Sequence, residues 1–252
     1  MVSTAVLSSV NVGQVRSVAA GKRRVETAIW KVPAAGRVVV RGVNLEGDDQ
    51  ADRRVHGGPD KAVYAYGLDD YAWWEAELGR HLDPGTFGEN LTVASMAVSA
   101  AMVGERWAVG SAVLEVCQPR TPCGKLGIRM GDPRFPRRFA RAGRPGAYLR
   151  IVTEGNIGAG DEISVLSRPD HGLTVAAVAR AGEGDSTLVA DLLLAPELAE
   201  GWVSWAIEEA VSALRSDPSE AVLGHALRCR LVWVGVDSAS VDSLVDELIG
   251  AA

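Results

Sequence analysis

The sequence predicts a mainly β protein followed by a small α-helical C-terminal part. Up to residue 167, short runs rich in β-branched residues alternate with glycine and proline, which is typical of all-β domains. From Leu173 onward, apolar residues recur with the spacing of short helices. The charge changes at the same place, because residues 1–168 carry a net charge of +4 and residues 169–252 a net charge of −10. Such a shift marks a boundary near residue 168.

The predicted strands follow these β-rich runs in chain order. Glycine and proline interrupt the runs at Gly21, at residues 33–36 and at Gly47. Gly110 and Ser111 separate two runs by only two residues, which predicts a β-hairpin. The predicted strands are residues 2–10, 25–31, 37–43, 62–66, 91–93, 106–109, 112–117, 148–153 and 161–166.

Helices are predicted at one place in the strand-rich part and throughout the part after it. Asp69 or Asp70 can cap a helix over residues 71–78. Pro196 suits the first position of a longer helix, and residues 231–236 resemble a strand. The predicted helices are residues 71–78, 173–181, 186–194, 196–214, 219–227 and 240–249.

Length and composition limit the classes of protein to consider. With 252 residues, 47% of them hydrophobic and 23% charged, the chain resembles an ordinary globular protein. It has no apolar run of about 18 residues that predicts a membrane span, and its first residues resemble a strand rather than a signal peptide. Its three cysteines (Cys117, Cys123 and Cys229) do not suggest a disulfide scaffold. We therefore expect a cytoplasmic protein that does not contact membranes.

Residues 118–125 place one cysteine in a stiff, positively charged loop. Two prolines in this stretch fix their own φ angles and favour extended geometry in the residues before them. Arg120 and Lys125 flank Cys123, and nearby cations favour a thiolate, which attacks electrophiles and binds soft metals. The alternative is a small buried apolar residue in a proline turn. The stretch alone does not separate these two interpretations.

The chain from Arg120 to Arg150 is strongly basic, with eight arginines and Lys125 against one acid, Asp132. This pattern fits either a nucleic-acid interface over residues 134–144 or a rim that binds the anionic group of one small ligand. Because the stretch lacks interleaved aromatic residues and the whole protein has a net charge of −6, we favour the anion-binding rim.

A second polar segment, residues 47–61, is too rich in glycine and charge to be a core element. The glycines at 57 and 58 leave backbone N–H groups accessible to an anion. His56 titrates near neutral pH and can transfer a proton, although a histidine bonded to a carbonyl within the turn is the alternative. Lys31 and the loop 84–90 are the other polar positions that we assign to the same site.

Several common motifs are absent from the sequence. There is no phosphate-binding P-loop, no dinucleotide-binding Gly-x-Gly-x-x-Gly, no Cys-x-x-Cys pair and no His-Glu-x-x-His. Cys117 and Cys123 have five residues between them, which is not a usual spacing for zinc ligands.

Four ordered motifs in the strand-rich part nevertheless form a recognisable set. They are Gly47-Asp48-x2-Ala51-Asp52-x3-His56-Gly57-Gly58-x2-Lys61-Ala62, Phe87-Gly88-Glu89-Asn90-Leu91, Val103-Gly104-x5-Gly110 and Gln118-Pro119-Arg120-x-Pro122-Cys123-x-Lys125-Leu126. Together they closely resemble the MOSC domain family, and specifically its bacterial YiiM-type subgroup. The resemblance predicts a MOSC β-barrel-like domain with a few helices over residues 1–167. It predicts a small three-helix domain over residues 168–206, and leaves residues 207–252 as a helical extension of unknown role.

The resemblance implies a molybdenum-cofactor oxidoreductase that reduces N-hydroxylated purines or related N-hydroxy compounds. The cofactor is a molybdenum atom held by a pterin dithiolene with a phosphate tail. In such a protein Cys123 is the metal ligand, His56 is a proton donor or substrate contact, and a separate flavoprotein supplies electrons. The residues expected to bind the cofactor are Arg16, Lys31, Arg54, Gly57, Gly58, Lys61, Glu89, Asn90 and Arg120. Gly124 stands where relatives usually carry an aromatic residue, which leaves the pocket wall beside the sulfur more open.

A carrier protein is the alternative function, because MOSC domains also end enzymes that sulfurate the cofactor. In that case Cys123 holds a persulfide or passes the cofactor on, without reductase turnover. The chain is too short to contain a pyridoxal-phosphate desulfurase domain beside the barrel. We expect a small-molecule substrate and no nucleic-acid partner, and the sequence leaves a homodimer open.

Overall fold

The structure is a computed structural model that describes residues 4–52 and 57–250. The strands are β1 Ala5–Val12, β2 Arg16–Ala20, β3 Arg23–Thr27, β4 Val32–Pro33, β5 Val38–Arg41, β6 Asn44–Leu45, β7 Val63–Gly67, β8 Leu91–Ala94, β9 Arg106–Val109, β10 Ala112–Pro119, β11 Ala147–Thr153, β12 Gly155–Ile157 and β13 Glu162–Ser167. The helices are α1 Leu68–Leu78, α2 Gly124–Met130, α3 Phe135–Arg141, α4 Val175–Gly182, α5 Val189–Leu193, α6 Glu200–Ser216, α7 Ala221–Trp233 and α8 Val241–Ile249. Short 3₁₀ turns lie at Pro59–Lys61, Val98–Ala100 and Ser186–Leu188.

Seven of these strands close into a barrel, as the mainly β prediction requires. Their order is β13-β9-β10-β11-β7-β8-β1, and β1 closes the barrel by pairing with β13. Neighbouring strands are antiparallel except β7 and β8, which are parallel. Parallel neighbours need a crossover connection, and α1 with the loop 79–90 supplies it. This connection brings the loop 84–90 to one end of the barrel.

The helices after residue 168 pack against the barrel and share its core. Buried apolar residues of both parts, from Leu7 in β1 to Val245 in α8, belong to one continuous cluster. A second, aromatic cluster lies beneath α1 and α3 and includes Tyr66, Trp74 and Phe87. Among the described residues, no helix has both the length and the apolar character needed to cross a membrane.

Several predicted elements are confirmed with small shifts, and two expectations are wrong. The hairpin forms as predicted, with Ala112 opposite Val109. Helix α6 begins at Glu200 rather than Pro196. Residues 231–233 continue helix α7 instead of forming a strand, because Leu227 and Leu231, four residues apart, both face the core. The basic stretch after residue 120, for which the sequence predicts no helix or strand before residue 148, contains the two helices α2 and α3.

Helix α6 also runs through the boundary that we expected between residues 206 and 207. The division of the helical part into a three-helix domain and an extension therefore stays a proposal. The boundary was placed where the resemblance to the family ends, and helix α6 continues across it.

Candidate functional site

A pocket with an empty volume of about 570 Å³ opens beside Cys123 at the end of the barrel that carries the loop 84–90. Four cations and two acids line it, which gives the described lining an excess of positive charge. The lining residues are Thr27, Ala28, Ile29, Lys31, Asp48, Asp49, Gln50, Ala51, Lys61, Tyr64, Gly88, Asn90, Arg120, Cys123, Lys125 and Tyr148.

Cys123 is held at the junction of a strand and a helix. Strand β10 ends at Pro119, which pairs with Ala147 of β11, and the chain then runs through Pro122 to Cys123. Cys123 has extended backbone geometry and immediately precedes helix α2. Both sides of the cysteine are therefore fixed, as the two prolines predict. Its thiol is partly exposed and lines the pocket.

Arg120 anchors the Cys123 loop to a neighbouring loop of the barrel. Its guanidinium donates a hydrogen bond to the carbonyl oxygen of Phe87, in the loop that follows α1. The same group lies over the ring of Tyr64, with 5.2 Å between the guanidinium carbon and the ring centroid. Among the described residues, its buried Nε atom has no hydrogen-bond partner. A buried, permanently charged group with an unused donor favours an anion in the pocket beside it.

Lys31 forms a buried ion pair with Asp48 in the same pocket lining. Both side chains are almost fully excluded from solvent. Burial lowers the pKa of the Lys31 ammonium, while the charge of Asp48 acts in the opposite direction. Asp48 also accepts hydrogen bonds from the backbone of Gly13 at 2.8 Å and from the amide of Asn90 at 2.9 Å. This network fixes the position of Lys31, whose ammonium donates to both carboxylate oxygens of Asp48 and has one further N–H donor.

The loop 84–90 supports the pocket from one side, and its two candidate residues have different positions. Asn90 lines the pocket, and its side chain also accepts a hydrogen bond from the backbone of Tyr64 at 3.1 Å. Glu89 is fully buried and lies outside the lining. Its carboxylate accepts hydrogen bonds from Tyr71 Oη, Thr92 Oγ1 and two backbone N–H groups of its own loop. Glu89 therefore shapes the loop rather than facing the pocket.

Two arginines meet at the edge of the pocket through a shared aromatic ring. The guanidinium carbons of Arg16 and Arg129 lie 4.3 Å and 5.5 Å from the centroid of Trp30. The neighbours of Trp30 in the chain, Ile29 and Lys31, line the pocket. Arg16 thus lies next to the site but does not line it. Burial, with a smaller contribution from Arg16, lowers the pKa of Arg129.

The structure brings together five of the predicted site residues in one lining: Lys31, Lys61, Asn90, Arg120 and Cys123. Gly57 and Gly58 do not line this pocket, although the positive φ angle of Gly58, 92°, starts the turn that carries Lys61. The expected proton donor His56 and the expected cofactor contact Arg54 lie outside the described residues.

Sequence reasoning missed two aromatic residues of the pocket wall. Tyr64 in β7 and Tyr148 in β11 are opposite each other in the register, and their ring centroids are 5.0 Å apart. Burial raises the pKa of Tyr64 well above its usual value, so the phenol stays protonated. The alternation of the two strands is a signal that could have placed both rings on one face.

The basic stretch contributes less to the pocket than expected. Arg120 and Lys125 line the pocket, but the four arginines from residue 134 to residue 141 do not. Arg134 is the residue directly before helix α3 and the other three lie on it, and the buried side of this helix is formed by Phe135 and Phe139. The interpretation of the whole stretch as one anion-binding rim is therefore wrong for the arginines of α3, because they lie outside the lining of the pocket.

Comparison with known proteins gives the family. The family model described as MOSC domain matches residues 52–164. The chain is 36% identical over 197 residues to the uncharacterized protein YflK of Bacillus subtilis (strain 168), which covers 77% of this chain and 89% of that protein. The chain belongs to the MOSC domain family. The crystal structure of YiiM from Geobacillus stearothermophilus superimposes on this MOSC protein with a TM-score of 0.67 and 26% identity, over 81% of this chain and 98% of that one.

A third relative carries a functional name. A protein called reductase from Gibberella moniliformis (strain M3125 / FGSC 7600) is 38% identical to this MOSC protein over 168 residues. The match covers 65% of this chain but only 30% of the fungal protein, so most of that protein lies outside the shared region.

The pocket fits the group with which the family is associated. MOSC domains are associated with binding of the molybdenum cofactor. The pocket offers a soft thiol, which is a suitable ligand for such a metal. It also offers an excess of cations and a buried guanidinium with an unused Nε, which suit an anionic phosphate. Cys123 is the only one of the three cysteines in the described lining. The chemistry of this MOSC pocket therefore agrees with the cofactor.

Proposed function

We propose that the protein is a molybdenum-cofactor oxidoreductase that reduces N-hydroxylated purines or related N-hydroxy compounds. The observation that carries the proposal is the position of Cys123, which lines a cation-rich pocket together with Arg120, whose buried Nε has no hydrogen-bond partner among the described residues. The name of the fungal relative agrees with oxidoreductase chemistry, although the match covers only 30% of that protein.

Each lining residue has a binding or orienting role in this proposal. Cys123 would hold the metal through its sulfur, and Arg120, Lys61 and Lys125 would bind the phosphate and other anionic groups. Lys31, fixed by its ion pair with Asp48, would donate a hydrogen bond to the ligand. The rings of Tyr64 and Tyr148 line the pocket and would limit the access of water to the bound ligand.

When bound, the cofactor supplies the two-electron chemistry that breaks the N–O bond, and the chain supplies position, charge and protons. Cleavage of N–OH to an amine and water consumes two protons. We propose His56 as the donor of at least one of them, because an imidazole exchanges protons near neutral pH. Measuring the pH–rate profile of His56→Gln tests this role, and an unchanged profile contradicts it.

The main experiment replaces the sulfur. Cys123→Ser is purified from cells that make the cofactor, and its molybdenum and pterin contents are measured together with reduction of 6-hydroxylaminopurine by a chemical donor. We expect loss of most of the bound metal and of the activity, because a hydroxyl is a poor ligand for a soft metal site. Cys229→Ser, on helix α7, is the matched control and should keep both.

Two results would contradict the proposal. The first is full metal content and full activity in Cys123→Ser. The second is a labile mass increase of about 32 Da on Cys123 in a wild-type protein without reductase activity, since this is the mass of one persulfide sulfur. The second result would favour the carrier function.

A further inference from the structure

Helix α3 presents a compact basic surface that the pocket does not use. We call this surface, formed by Arg134, Arg137, Arg138 and Arg141, the arginine face. All four side chains are exposed. The opposite side of the helix is buried, since Phe135 and Phe139 belong to the aromatic cluster with Trp74. These two phenylalanines fix the rotation of the helix, so the arginine face is held rigidly toward solvent.

The arginine face is poorly neutralised by the protein itself. Among the described residues, one arginine of this face forms an ion pair: the guanidinium of Arg138 lies 3.7 Å from the carboxylate of Asp132. By contrast, neighbouring Arg144 forms an ion pair with Asp70 at 2.6 Å and is turned toward α1. The other three arginines of the face lie within about two helical turns, and their like charges repel one another. Covering this surface with acidic groups would relieve that repulsion.

The arginine face adjoins the loop that carries the candidate metal ligand. Arg137 and Arg141 line a surface depression together with Thr121 and Pro122. Pro122 directly precedes Cys123 in the chain. A protein bound on this surface would therefore contact Thr121 and Pro122, directly before the candidate metal ligand in the chain.

We propose that the arginine face is the docking surface for an acidic electron-donor protein with a flavin or iron–sulfur group. This inference rests on the proposed function, because reduction of R–NHOH with two electrons and two protons gives R–NH2 and water. Neither the substrate nor water supplies those electrons, so each turnover takes them from a donor. The donor is oxidised by two electrons, and the protons come from solvent.

A nucleic acid is the other polyanion that an arginine-rich helix could bind, and the structure disfavours it. Single strands are held by stacking on exposed aromatic rings, whereas Phe135 and Phe139 are buried. The surface is also short, and Glu183 lies at its edge beside Arg137 and Arg141. The helical part beyond it carries a net charge of −10, which would repel a long polyanion.

The experiment compares two double charge reversals in the cofactor-loaded protein. Arg137→Glu with Arg141→Glu alters the arginine face, and Lys22→Glu with Arg23→Glu makes the same charge change at the exposed β2–β3 turn. Each variant reduces 6-hydroxylaminopurine with reduced flavodoxin, with reduced plant-type ferredoxin, or with reduced methyl viologen. We expect kcat/KM for at least one protein donor to fall about tenfold in the first variant only, with the methyl viologen rate unchanged.

Binding is measured separately, so that failure of the inference differs from failure of the proposed function. Calorimetry at low salt titrates oxidised flavodoxin and ferredoxin into each variant without substrate. One outcome is that only the arginine-face variant loses binding, while neither the wild type nor either variant reduces the N-hydroxy substrate. This outcome supports the docking surface and rejects the proposed function. Equal rates and equal binding for the wild type and both variants, whether high or zero, would overturn the inference. The inference would also be overturned, in favour of a nucleic acid, if the wild type binds a 20-nucleotide DNA strand tightly but neither donor protein, and the arginine-face variant loses the DNA binding.

Discussion

The carboxylate of Glu89 accepts four hydrogen bonds beside the pocket, although it does not line it. It receives a hydrogen bond from Tyr71 and one from the backbone of Gly85 at 2.6 Å, although the residue is completely buried. Burial raises the pKa of Glu89, and the hydrogen bonds partly oppose that effect. The folded state therefore keeps the proton of Glu89 at pH values where the unfolded chain has already lost it.

We predict that Glu89→Gln lowers the free energy of unfolding and changes its pH dependence. Gln places an N–H where Oε2 accepts from Phe87, which leaves a buried donor unpaired and costs about 1–3 kcal/mol. Because the folded pKa of Glu89 is raised, its contribution to stability is greatest below about pH 4.5 and falls as the pH rises toward the folded pKa. Urea unfolding between pH 4.5 and 8 measures both effects. A variant as stable as the wild type, with the same slope against pH, would contradict the prediction.

Gly124 is the residue at which this chain departs from the expected family pattern. A Cβ atom built at Gly124 meets no heavy atom within 4 Å, so the space beside Cys123 is open. We predict that Gly124→Phe folds with unchanged stability but narrows the entrance to the pocket. Its kcat/KM should fall about tenfold for a hydroxylaminopurine and much less for hydroxylamine itself. Gly124→Ala is the control of smaller volume, and equal losses for both substrates would refute a steric role.

At the scale of elements, helix α7 is joined to α5 by one buried arginine. Arg230 donates to the backbone carbonyls of Leu193 at 2.7 Å, of Leu192 at 3.3 Å and of Ala195. These carbonyls end helix α5, where a cation also interacts favourably with the helix dipole. Burial lowers the pKa of Arg230, but a guanidinium keeps its charge at neutral pH.

We predict that Arg230→Met destabilises the protein by about 2–4 kcal/mol, since it removes donors from buried carbonyls at a helix end. Urea unfolding at neutral pH measures the change. The matched control is Arg228→Met in the same helix, which loses an exposed ion pair with Asp242 and should cost at most about 1 kcal/mol. Equal losses in the two variants would show that Arg230 is not the residue that joins the helices.

The elements that could be predicted from sequence are those specified by local residues. The hairpin of β9 and β10 follows from Gly110 and Ser111 between two apolar runs, and the rigid Cys123 loop follows from its two prolines. Helix α3 was missed because Pro136 and a row of arginines obscure the pair Phe135 and Phe139. Its stability comes from packing on Trp74, which no local pattern reveals.

The candidate site divides in the same way. Cys123 and Lys125 are neighbours in the chain, so local chemistry was enough to select them. The contacts that give the pocket its shape join distant segments, such as Lys31 with Asp48 and Arg120 with the carbonyl of Phe87. Periodicity and charge do not specify such pairs, because they depend on the closed barrel. For the same reason, the buried position of Glu89 could not be read from a motif that places it next to Asn90.

At the scale of the whole molecule, the barrel and the helices are joined by backbone contacts as well as by a shared core. The N–H of Val103 donates to Leu173, and the N–H of Val175 donates to Ala101, on either side of an isolated β-bridge. Arg150 in β11 donates to the carbonyl of Glu197 at 2.7 Å. These contacts bind the start of the helical part to the wall of the barrel.

We therefore predict that the two parts unfold together in one transition. Leu192 in α5 is fully buried in the shared cluster, and Leu192→Ala should cost about 2–5 kcal/mol. Two signals follow unfolding in urea: far-UV circular dichroism reports the helices, and fluorescence after Trp202→Phe and Trp205→Phe reports mainly barrel tryptophans such as Trp107 and Trp74. If the core is shared, Leu192→Ala lowers both midpoints equally, because a cooperative unit responds to damage at any position. A lower midpoint for the helical signal alone would instead establish the helices as an independent domain.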